Sequence, residues 1–183
     1  MVTQSLESSA IPAAFATAIE GRIAAISRAQ NMLTQSGGGP ASLRELLTAE
    51  LAPYDRGGQS LSIAGADVGI SPKAGLALAM VFHELASNAA KYGALSTEAG
   101  SLAVSWTVSR RSGPTLHLLW IETGGPPIAG LPSRRGFGST LIERTLSREM
   151  DAIVTQEFRP SGFCCAIDIP LTSDIGHTQD LPR

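Results

Sequence analysis

The feature that most constrains this chain is a segment with a core-helix pattern that also carries polar groups at regular spacing. The apolar run LALAMVF (residues 76–82) continues directly into HELASNAAKYGALS (residues 83–96). Glu84, Asn88 and Lys91 stand there at i, i+4 and i+7, so one stripe of the predicted helix carries all three. Because each of these groups is costly to bury alone, the stripe predicts the wall of a cavity.

The three groups have complementary chemistry. The carboxylate of Glu84 can accept a proton or orient water, the amide oxygen of Asn88 suits a hard cation, and the ammonium of Lys91 suits phosphate. Mg²⁺ prefers oxygen ligands and binds substrate phosphates while keeping several waters. The stripe therefore indicates a magnesium–nucleotide site, although the solvated face of an ordinary amphipathic helix has the same pattern. The zinc motif HExxH is absent, because neither His83 nor Glu84 is followed by a histidine four residues later.

The remaining periodicities predict an α+β fold. Helices are expected where apolar residues recur every three or four positions: residues 15–33, 43–51, 72–90 and the part of 136–150 that follows its glycines. Strands are expected where apolar residues alternate or form short runs between turns: residues 59–65, 102–108, 116–122, 153–158 and 163–169. This order fits a two-layer α/β sandwich, with a mixed but mostly antiparallel sheet, helices on one face and an additional N-terminal helix.

Specific residues set the ends of these helices. Ser42 and Glu45 form a capping box ahead of the second helix, and Pro53 closes that helix. Ser71 and Pro72 supply a cap and a first-turn proline for the long polar-striped helix. The polar segment from residue 172 onward is expected to be a flexible tail.

Composition excludes several classes of function. An apolar fraction of 43% and a charged fraction of 16% are typical of a globular protein, and a net charge of −2 gives no footprint for nucleic acid. The longest apolar run, residues 74–82, is too short to cross a bilayer, and the N-terminus lacks the pattern of an export signal. Cys164 and Cys165 are sequence neighbours, which suits small core residues in a reducing compartment. A cytoplasmic protein without direct membrane contact is expected.

Two glycine turns add to the polar stripe. Glu122 ends a buried strand, and Gly124 and Gly125 follow it. Because glycines have no side chain, the backbone there can approach a flat ligand closely. The carboxylate of Glu122 could then accept a hydrogen bond from an exocyclic amine of that ligand. The sequence GFGS (residues 136–139) opens a helix, whose N-terminal amides favour phosphate. A P-loop and a Rossmann fingerprint are both absent.

In this order, the polar-striped helix, WIETGGP (residues 120–126) and GFGS resemble the N, G1 and G2 boxes of GHKL-type (Bergerat) ATP-binding domains. More narrowly, the chain resembles the HWE family of sensor histidine kinases. That family is marked by a histidine at the N box, here His83, and by Trp-x-Glu at the G1 box, here Trp120 and Glu122. The segment EGRIAAISRAQNML (residues 20–33) is also similar to the second helix of the family's dimerization and phosphotransfer hairpin.

The resemblance implies ATP and Mg²⁺ as cofactors and a role for each motif residue. Asn88 would coordinate Mg²⁺ between the phosphates, Glu84 would polarise the accepting nucleophile, and Glu122 would accept a hydrogen bond from the adenine amine. Residues of the three boxes would together form the nucleotide pocket: His83, Asn88, Lys91, Tyr92, Glu122, Gly124, Gly125, Gly136, Phe137, Gly138 and Ser139.

Other interpretations of individual residues remain open. His83 can instead be a packing residue of the helix, Trp120 is expected to pack in the core rather than to contact the ligand, and Tyr92 can belong to the core or to the pocket wall. Residues 126–135 would form a short ATP lid, in which Arg134 or Arg135 either faces the triphosphate or stays in solvent.

The resemblance covers roughly residues 15–171 and divides the chain into three parts. Residues 1–36 would be a partial dimerization and phosphotransfer segment, residues 41–171 the catalytic ATP-binding domain and residues 172–183 the tail. None of the three histidines has the sequence context of a phosphate acceptor. We therefore expect that the chain is part of a longer sensor kinase and does not autophosphorylate alone.

The implied partners are a phosphotransfer helix that carries the acceptor histidine, the receiver domain of a response regulator, and a second copy in a homodimer. Nucleic acid is not an expected partner. Two other functions suit the same motifs. One is a non-catalytic switch that responds to nucleotide, and the other is a GHKL-type serine kinase of a regulatory protein, which leaves the N-terminal helical stripe unexplained.

Overall fold

A computed structural model describes residues 13–35, 39–56, 60–110, 113–128 and 137–178. The described helices are α1 (Ala13–Gln35), α2 (Leu43–Leu51), α3 (Pro72–Lys91) and α4 (Phe137–Glu149). The described strands are β1 (Ala41–Ser42), β2 (Leu61–Gly65), β3 (Val68–Ile70), β4 (Ser101–Ser109), β5 (Thr115–Thr123), β6 (Ile153–Arg159), β7 (Gly162–Pro170) and β8 (Gly176–Thr178). Short 3₁₀ turns follow α2 and α3, at Ala52–Tyr54 and Ala94–Ser96.

The predicted capping residues begin two of these helices. The side chain of Ser71 accepts a hydrogen bond from the backbone of Ala74 at 3.3 Å, and Pro72 follows as the first helical residue of α3. The side chain of Ser42 likewise accepts from the backbone of Glu45 at 3.4 Å. Both caps satisfy backbone donors that the first helical turn leaves without an internal partner.

A five-stranded sheet in the order β2-β4-β5-β7-β6 forms one layer. Its pairings are antiparallel except that β2 runs parallel to β4, which confirms the mixed, mostly antiparallel sheet. Along β4, β5 and β7 every second residue points toward the helices, and most of these residues are buried. These inward residues join the buried face of α3 in one core: Leu78, Phe82, Leu85, Leu102, Val104, Trp106, Leu116, Leu118, Trp120 and Ile167.

Arg44, on α2, covers the outer edge of this sheet at β2. Its guanidinium donates to the backbone carbonyl oxygens of Ile63 at 3.1 Å and of Gly65 at 2.6 Å. The same guanidinium lies 5.2 Å from the ring of Trp106, within the range of a cation–π contact.

Residues 176–178 form strand β8 of a second, three-stranded sheet, whereas a flexible tail was expected from residue 172 onward. β8 pairs antiparallel with β3, which places His177 opposite Gly69, and β3 also pairs with β1. Ile175 is buried, and its carbonyl oxygen accepts from the backbone of Ser71 at 2.9 Å. The polar composition concealed this strand because strand pairing uses backbone groups, which composition does not report. Residues 179–183 lie outside the described part of the chain.

Helix α1 packs against α3 through only part of the apolar stripe that the sequence suggested. Among the α1 residues whose burial is described, Ala25, Ala29 and the stripe residue Leu33 are buried, whereas Ile23 is 57% exposed. The small alanine side chains let the two helices approach closely, so the bulkier isoleucine faces away from the contact. None of the described helices is both long and apolar enough to cross a membrane.

The adjacent cysteines lie on opposite faces of β7. Cys165 is buried and Cys164 is half-buried, and both are free thiols. Burial, together with the neighbouring Cys164, raises the pKa of Cys165 to about 12, so the buried sulfur stays protonated at neutral pH.

Candidate active site

The polar stripe of α3 runs from a buried to an exposed environment. Glu84 is 6% exposed, Asn88 is half-buried, and Lys91 lies exposed in the last turn. Tyr92, the residue after the helix, is 75% exposed and packs into no part of the described core. The open end of the stripe is therefore the C-terminal end of α3, where Asn88 and Lys91 remain accessible to a ligand.

Glu84 forms an ion pair that the sequence did not predict. Arg22 of α1 reaches across to α3, and its Nε lies 2.5 Å from Oε1 of Glu84. The side chains of Arg22 and Glu84 are 16% and 8% exposed, so little water screens the pair. The residue predicted to polarise a nucleophile is thus held by a cation from the N-terminal helix.

His83 faces a different set of residues from Asn88. Its Nδ1 lies 3.6 Å from Oε2 of Glu50 and, among the described residues, has no hydrogen-bond partner within bonding distance. A side chain at Gly21 of α1 would come within 2.7 Å of its Nε2, so the imidazole lies directly against α1. This position between α1 and α2 favours the interpretation of His83 as a packing residue.

Glu50, beneath His83, is a buried carboxylate that lies beside the imidazole of His83 and the guanidinium of Arg28. It is 1% exposed and accepts two hydrogen bonds from Arg28 of α1, Nε to Oε1 at 3.2 Å and Nη2 to Oε2 at 2.7 Å. Burial alone would raise its pKa, but the neighbouring His83 and Arg28 outweigh this effect and lower the pKa of Glu50 below its usual value. Glu50 is therefore ionised at neutral pH, and the Arg28–Glu50 and Arg22–Glu84 pairs attach α1 to α2 and α3.

Glu122 links the G1 strand to the end of α3. It is the last inward-facing residue of β5 and is 4% exposed. Its Oε2 accepts from the backbone of Ala94 at 2.9 Å, and its Oε1 accepts from the indole Nε1 of Trp120 at 3.0 Å. Burial raises the pKa of Glu122, while these two donors act in the opposite direction. We call this arrangement of Trp120, Glu122 and Ala94 the carboxylate clasp.

Glycines make the clasp possible. A side chain at Gly93 would overlap Oε2 of Glu122, and one at Gly125 would lie 2.8 Å from the backbone of Ala94. Gly124 has a φ of 71°, a left-handed conformation that few other residues adopt without strain. These positions explain in steric terms why glycines follow both the α3 helix and the β5 strand.

The loop that follows α3, residues 93–100, has two further attachments. Arg56 donates to the backbone carbonyl oxygens of Leu95 and of Thr97, the latter at 2.7 Å. The hydroxyl of Thr97 donates to the carbonyl oxygen of Gly124 at 2.8 Å. The loop thus bridges the ends of α3 and β5, and neither its position nor Arg56 was predicted from the sequence.

The third predicted motif is described only in part. Phe137, Gly138 and Ser139 form the first turn of α4, where backbone amides point out of the helix. Gly136, Arg134 and Arg135 lie outside the described residues, as does most of the predicted lid. The roles of all six residues, like those of His83, Lys91 and Tyr92, remain predictions.

The described residues fit magnesium only in the company of a nucleotide. Among them there is no group of three or more His, Cys, Asp or Glu side chains that could hold a metal. Mg²⁺ characteristically takes one or two protein oxygens together with phosphates and water, which a single Asn88 at the open end of α3 can match. The amide oxygen of Asn88 therefore suits Mg²⁺ bound to a triphosphate rather than a metal centre made by the protein alone.

The other two histidines belong to strands. His117, on the outer face of β5, lies between Ser109 and Asp168, with 2.7 Å from Nε2 to the serine hydroxyl and 2.7 Å from Nδ1 to Oδ1 of the aspartate. His177 lies in β8. Neither lies on a helix, which is where the phosphate acceptor was expected.

Sequence reasoning missed Arg22, Arg28 and Glu50, although a signal was present. Glu50 lies three and four residues after Leu47 and Leu46, so it falls on the apolar face of α2. Arg22 shares a face of α1 with the buried Ala25 and Ala29. Charges on apolar faces predict buried partners, but periodicity does not identify those partners.

Comparisons with known proteins identify similar histidine kinases. The profile of the HWE histidine kinase family matches residues 1–67. A blue-light-activated histidine kinase of Brucella anthropi is 34% identical over 156 residues, which cover 84% of this chain and 32% of that protein.

Solved structures have the same fold. The histidine kinase domain of the blue-light-activated kinase EL346 from Erythrobacter litoralis has a TM-score of 0.64 at 17% identity, over 86% of this chain and 76% of that one. Full-length ShkA in complex with AMPPNP has a TM-score of 0.52 at 21% identity, over 79% of this chain and 32% of that one. At such identities these matches establish the fold alone.

The two-layer fold, with α3 and β5 carrying the motif residues, is therefore that of the GHKL-type catalytic domains of histidine kinases. The family profile over residues 1–67 and the identity to the Brucella kinase confirm the resemblance to the HWE histidine kinase family that the sequence motifs predicted. The chain spans 32% of the length of the curated relatives it matches.

Proposed function

We propose that the chain binds MgATP between α3, β5 and the start of α4 and transfers the γ-phosphoryl group to a histidine on a separate helical segment. The observation that carries this proposal is the contact between two motifs that lie far apart in sequence. The Gly93-Ala94 turn that ends the N box rests against Glu122 of the G1 box, through a hydrogen bond of 2.9 Å. A nucleotide bound there would have its base near Glu122 and its phosphates near Asn88.

In this site phosphoryl transfer would depend on positioning and on neutralisation of charge. Asn88 would hold Mg²⁺ on the phosphates, Lys91 would contribute positive charge, and the amides at the start of α4 would face phosphate oxygens. Glu84 would polarise the incoming imidazole once Arg22 no longer occupies its carboxylate. From histidine the phosphoryl group would pass to an aspartate of a response regulator, and a cytoplasmic location suits both steps.

The first experiment tests MgATP binding. We expect Asn88→Ala to abolish Mg-dependent binding of ATP in isothermal titration calorimetry, because it removes the predicted protein ligand of Mg²⁺. The unfolding midpoint should change little, because Asn88 is only half-buried. Asn31→Ala, at an exposed position of α1, is the matched control and should bind MgATP normally. Unchanged affinity in Asn88→Ala would refute the assignment of the site.

The second experiment distinguishes the three functions. With labelled ATP, the chain alone should form no acid-labile phosphohistidine, and adding a polypeptide that carries the acceptor helix should produce it. Tight MgATP binding without any transfer would favour the nucleotide-dependent switch. Acid-stable phosphate on a partner would favour a serine kinase. Strong autophosphorylation of the chain alone would refute the assignment of the acceptor to another segment.

A further inference from the structure

Trp120, which the sequence suggested as a packing residue, also donates a hydrogen bond inside the candidate site. It is fully buried, and Glu122 lies two residues later on the same inward face of β5. The indole Nε1 lies 3.0 Å from Oε1 of Glu122, and both groups are shielded from solvent. A hydrogen bond to a buried carboxylate is stronger than one to a neutral acceptor, so this bond holds Glu122 in one orientation.

We propose that Trp120 is a positioning residue that fixes the Glu122 carboxylate as an acceptor for the 6-amino group of a purine nucleotide. This inference rests on the proposed function and adds the group that sets base selectivity. Both protein partners of Glu122, the indole and the Ala94 amide, are N–H donors and cannot accept a hydrogen bond. The carboxylate that they hold therefore presents only acceptor positions to a ligand. An exocyclic amine suits those positions, whereas the carbonyl oxygen of a 6-oxopurine is repelled.

The clasp also gives a physical reason for glutamate at this position. One oxygen must reach the Ala94 amide in the turn after α3, while the other stays near the indole on its own strand. An aspartate is shorter by one carbon–carbon bond, about 1.5 Å, and so its carboxylate would lie too far from one of the two donors. Trp120 and Glu122 therefore act as one unit.

Loss of the indole donor would change the protonation of Glu122 as well as its orientation. Burial already raises the pKa of this carboxyl group, and the donors from Trp120 and Ala94 counteract burial. Without the indole, the neutral acid is favoured further, and a neutral acid can donate to a carbonyl oxygen. Selectivity between amino and oxo purines should then decline, most of all at lower pH.

The test compares the affinities of MgATP and MgITP, which differ at purine position 6. We expect the chain to prefer MgATP and Trp120→Phe to reduce the ratio of the two affinities roughly tenfold, the value of one charge-assisted hydrogen bond. Trp106→Phe is the matched control. That indole is also buried and donates to the carbonyl oxygen of Ala66 at 2.7 Å, outside the clasp. It should lower stability and leave the ratio unchanged.

Each outcome decides between the two proposals. A chain that fails to bind MgATP contradicts the proposed function, and the inference with it. Equal affinities of the parent chain for MgATP and MgITP would be consistent with ATP binding but would contradict recognition of the base by Glu122. If Trp120→Phe keeps the preference, or if Trp106→Phe lowers the ratio equally, the positioning role is wrong. Should Trp120→Phe fail to fold, Glu122→Asp replaces it. That variant keeps the charge and should lower the same ratio, and an unchanged ratio there would overturn the proposal.

Discussion

The buried pair of Arg28 and Glu50 gives the sharpest prediction about stability. Removing one partner of a fully buried ion pair costs about 3–5 kcal/mol, because an uncompensated charge remains inside the protein. The side chain of Glu50 is fully buried, but that of Arg28 is 36% exposed, so water can partly replace the arginine. We therefore expect Arg28→Gln to lower the free energy of unfolding by about 2 kcal/mol.

Replacing the glutamate of this pair should lower the free energy of unfolding less than replacing the arginine. Glu50→Gln leaves Arg28 free to reach solvent and leaves no buried charge, so we expect it to cost only about 1 kcal/mol. The double variant Arg28→Gln/Glu50→Gln should lose less stability than the sum of the two single variants, since the penalty for an unpaired carboxylate disappears. Urea denaturation of the four proteins at pH 7 measures this coupling directly.

A matched control separates burial from the mere loss of a charge. Arg159 pairs with Glu157 at the surface, where both side chains are well exposed, so Arg159→Gln should change stability by less than about 0.5 kcal/mol. If Arg28→Gln is as mild as this control, or if the two changes at Arg28 and Glu50 simply add, Glu50 does not behave as a buried partnered charge.

Two further predictions concern acid stability and the clasp. Because the folded-state pKa of Glu50 lies below its usual 4.5, its contribution is present above that value and is lost as the pH falls through the folded pKa. Urea midpoints at pH 7 and about pH 3 should therefore fall less in Glu50→Gln than in the parent chain, and an equal fall would contradict the lowered pKa. Gly93→Ala should lower both the melting temperature and the affinity for MgATP, since the added carbon overlaps Glu122. Gly75 lies within helix α3, and a carbon added there would meet only the side chain of Leu33, at 3.5 Å. Gly75→Ala should therefore stabilise the chain by roughly 0.5–1 kcal/mol. If both glycine variants change stability and MgATP affinity alike, the overlap with Glu122 is not the cause of the losses in Gly93→Ala.

Features of the fold that depend on local chemistry were predictable from the sequence. Ser71 with Pro72 marked the start of α3, alternating residues marked β4, and a short apolar run marked β5. Features that depend on distant partners were not. β2 runs parallel to β4, and the pairing places Leu61 opposite Leu102. No local pattern encodes such a pairing.

The same distinction applies to the candidate site. Residues of one element, such as Glu84, Asn88 and Lys91, could be assigned to one stripe from helical spacing alone. Contacts between elements could not be assigned, because the attachment of Arg22 to Glu84 requires knowing where α1 lies. Glu122 was predicted to face a ligand, but its two protein donors became evident only in three dimensions.

The arginine that covers β2 has a consequence for how the protein behaves at high concentration. An exposed edge strand has unpaired backbone carbonyl and amide groups that can pair with another extended chain, which is a common route to aggregation. Arg44 already occupies the carbonyl oxygens of Ile63 and Gly65, so an incoming strand would have to displace a guanidinium. Arg44 therefore hinders the addition of another strand to the five-stranded sheet at β2. The other edge strand of this sheet is β6. Replacing Arg44 should therefore shorten the time the purified protein remains monodisperse on storage, even where its melting temperature changes little.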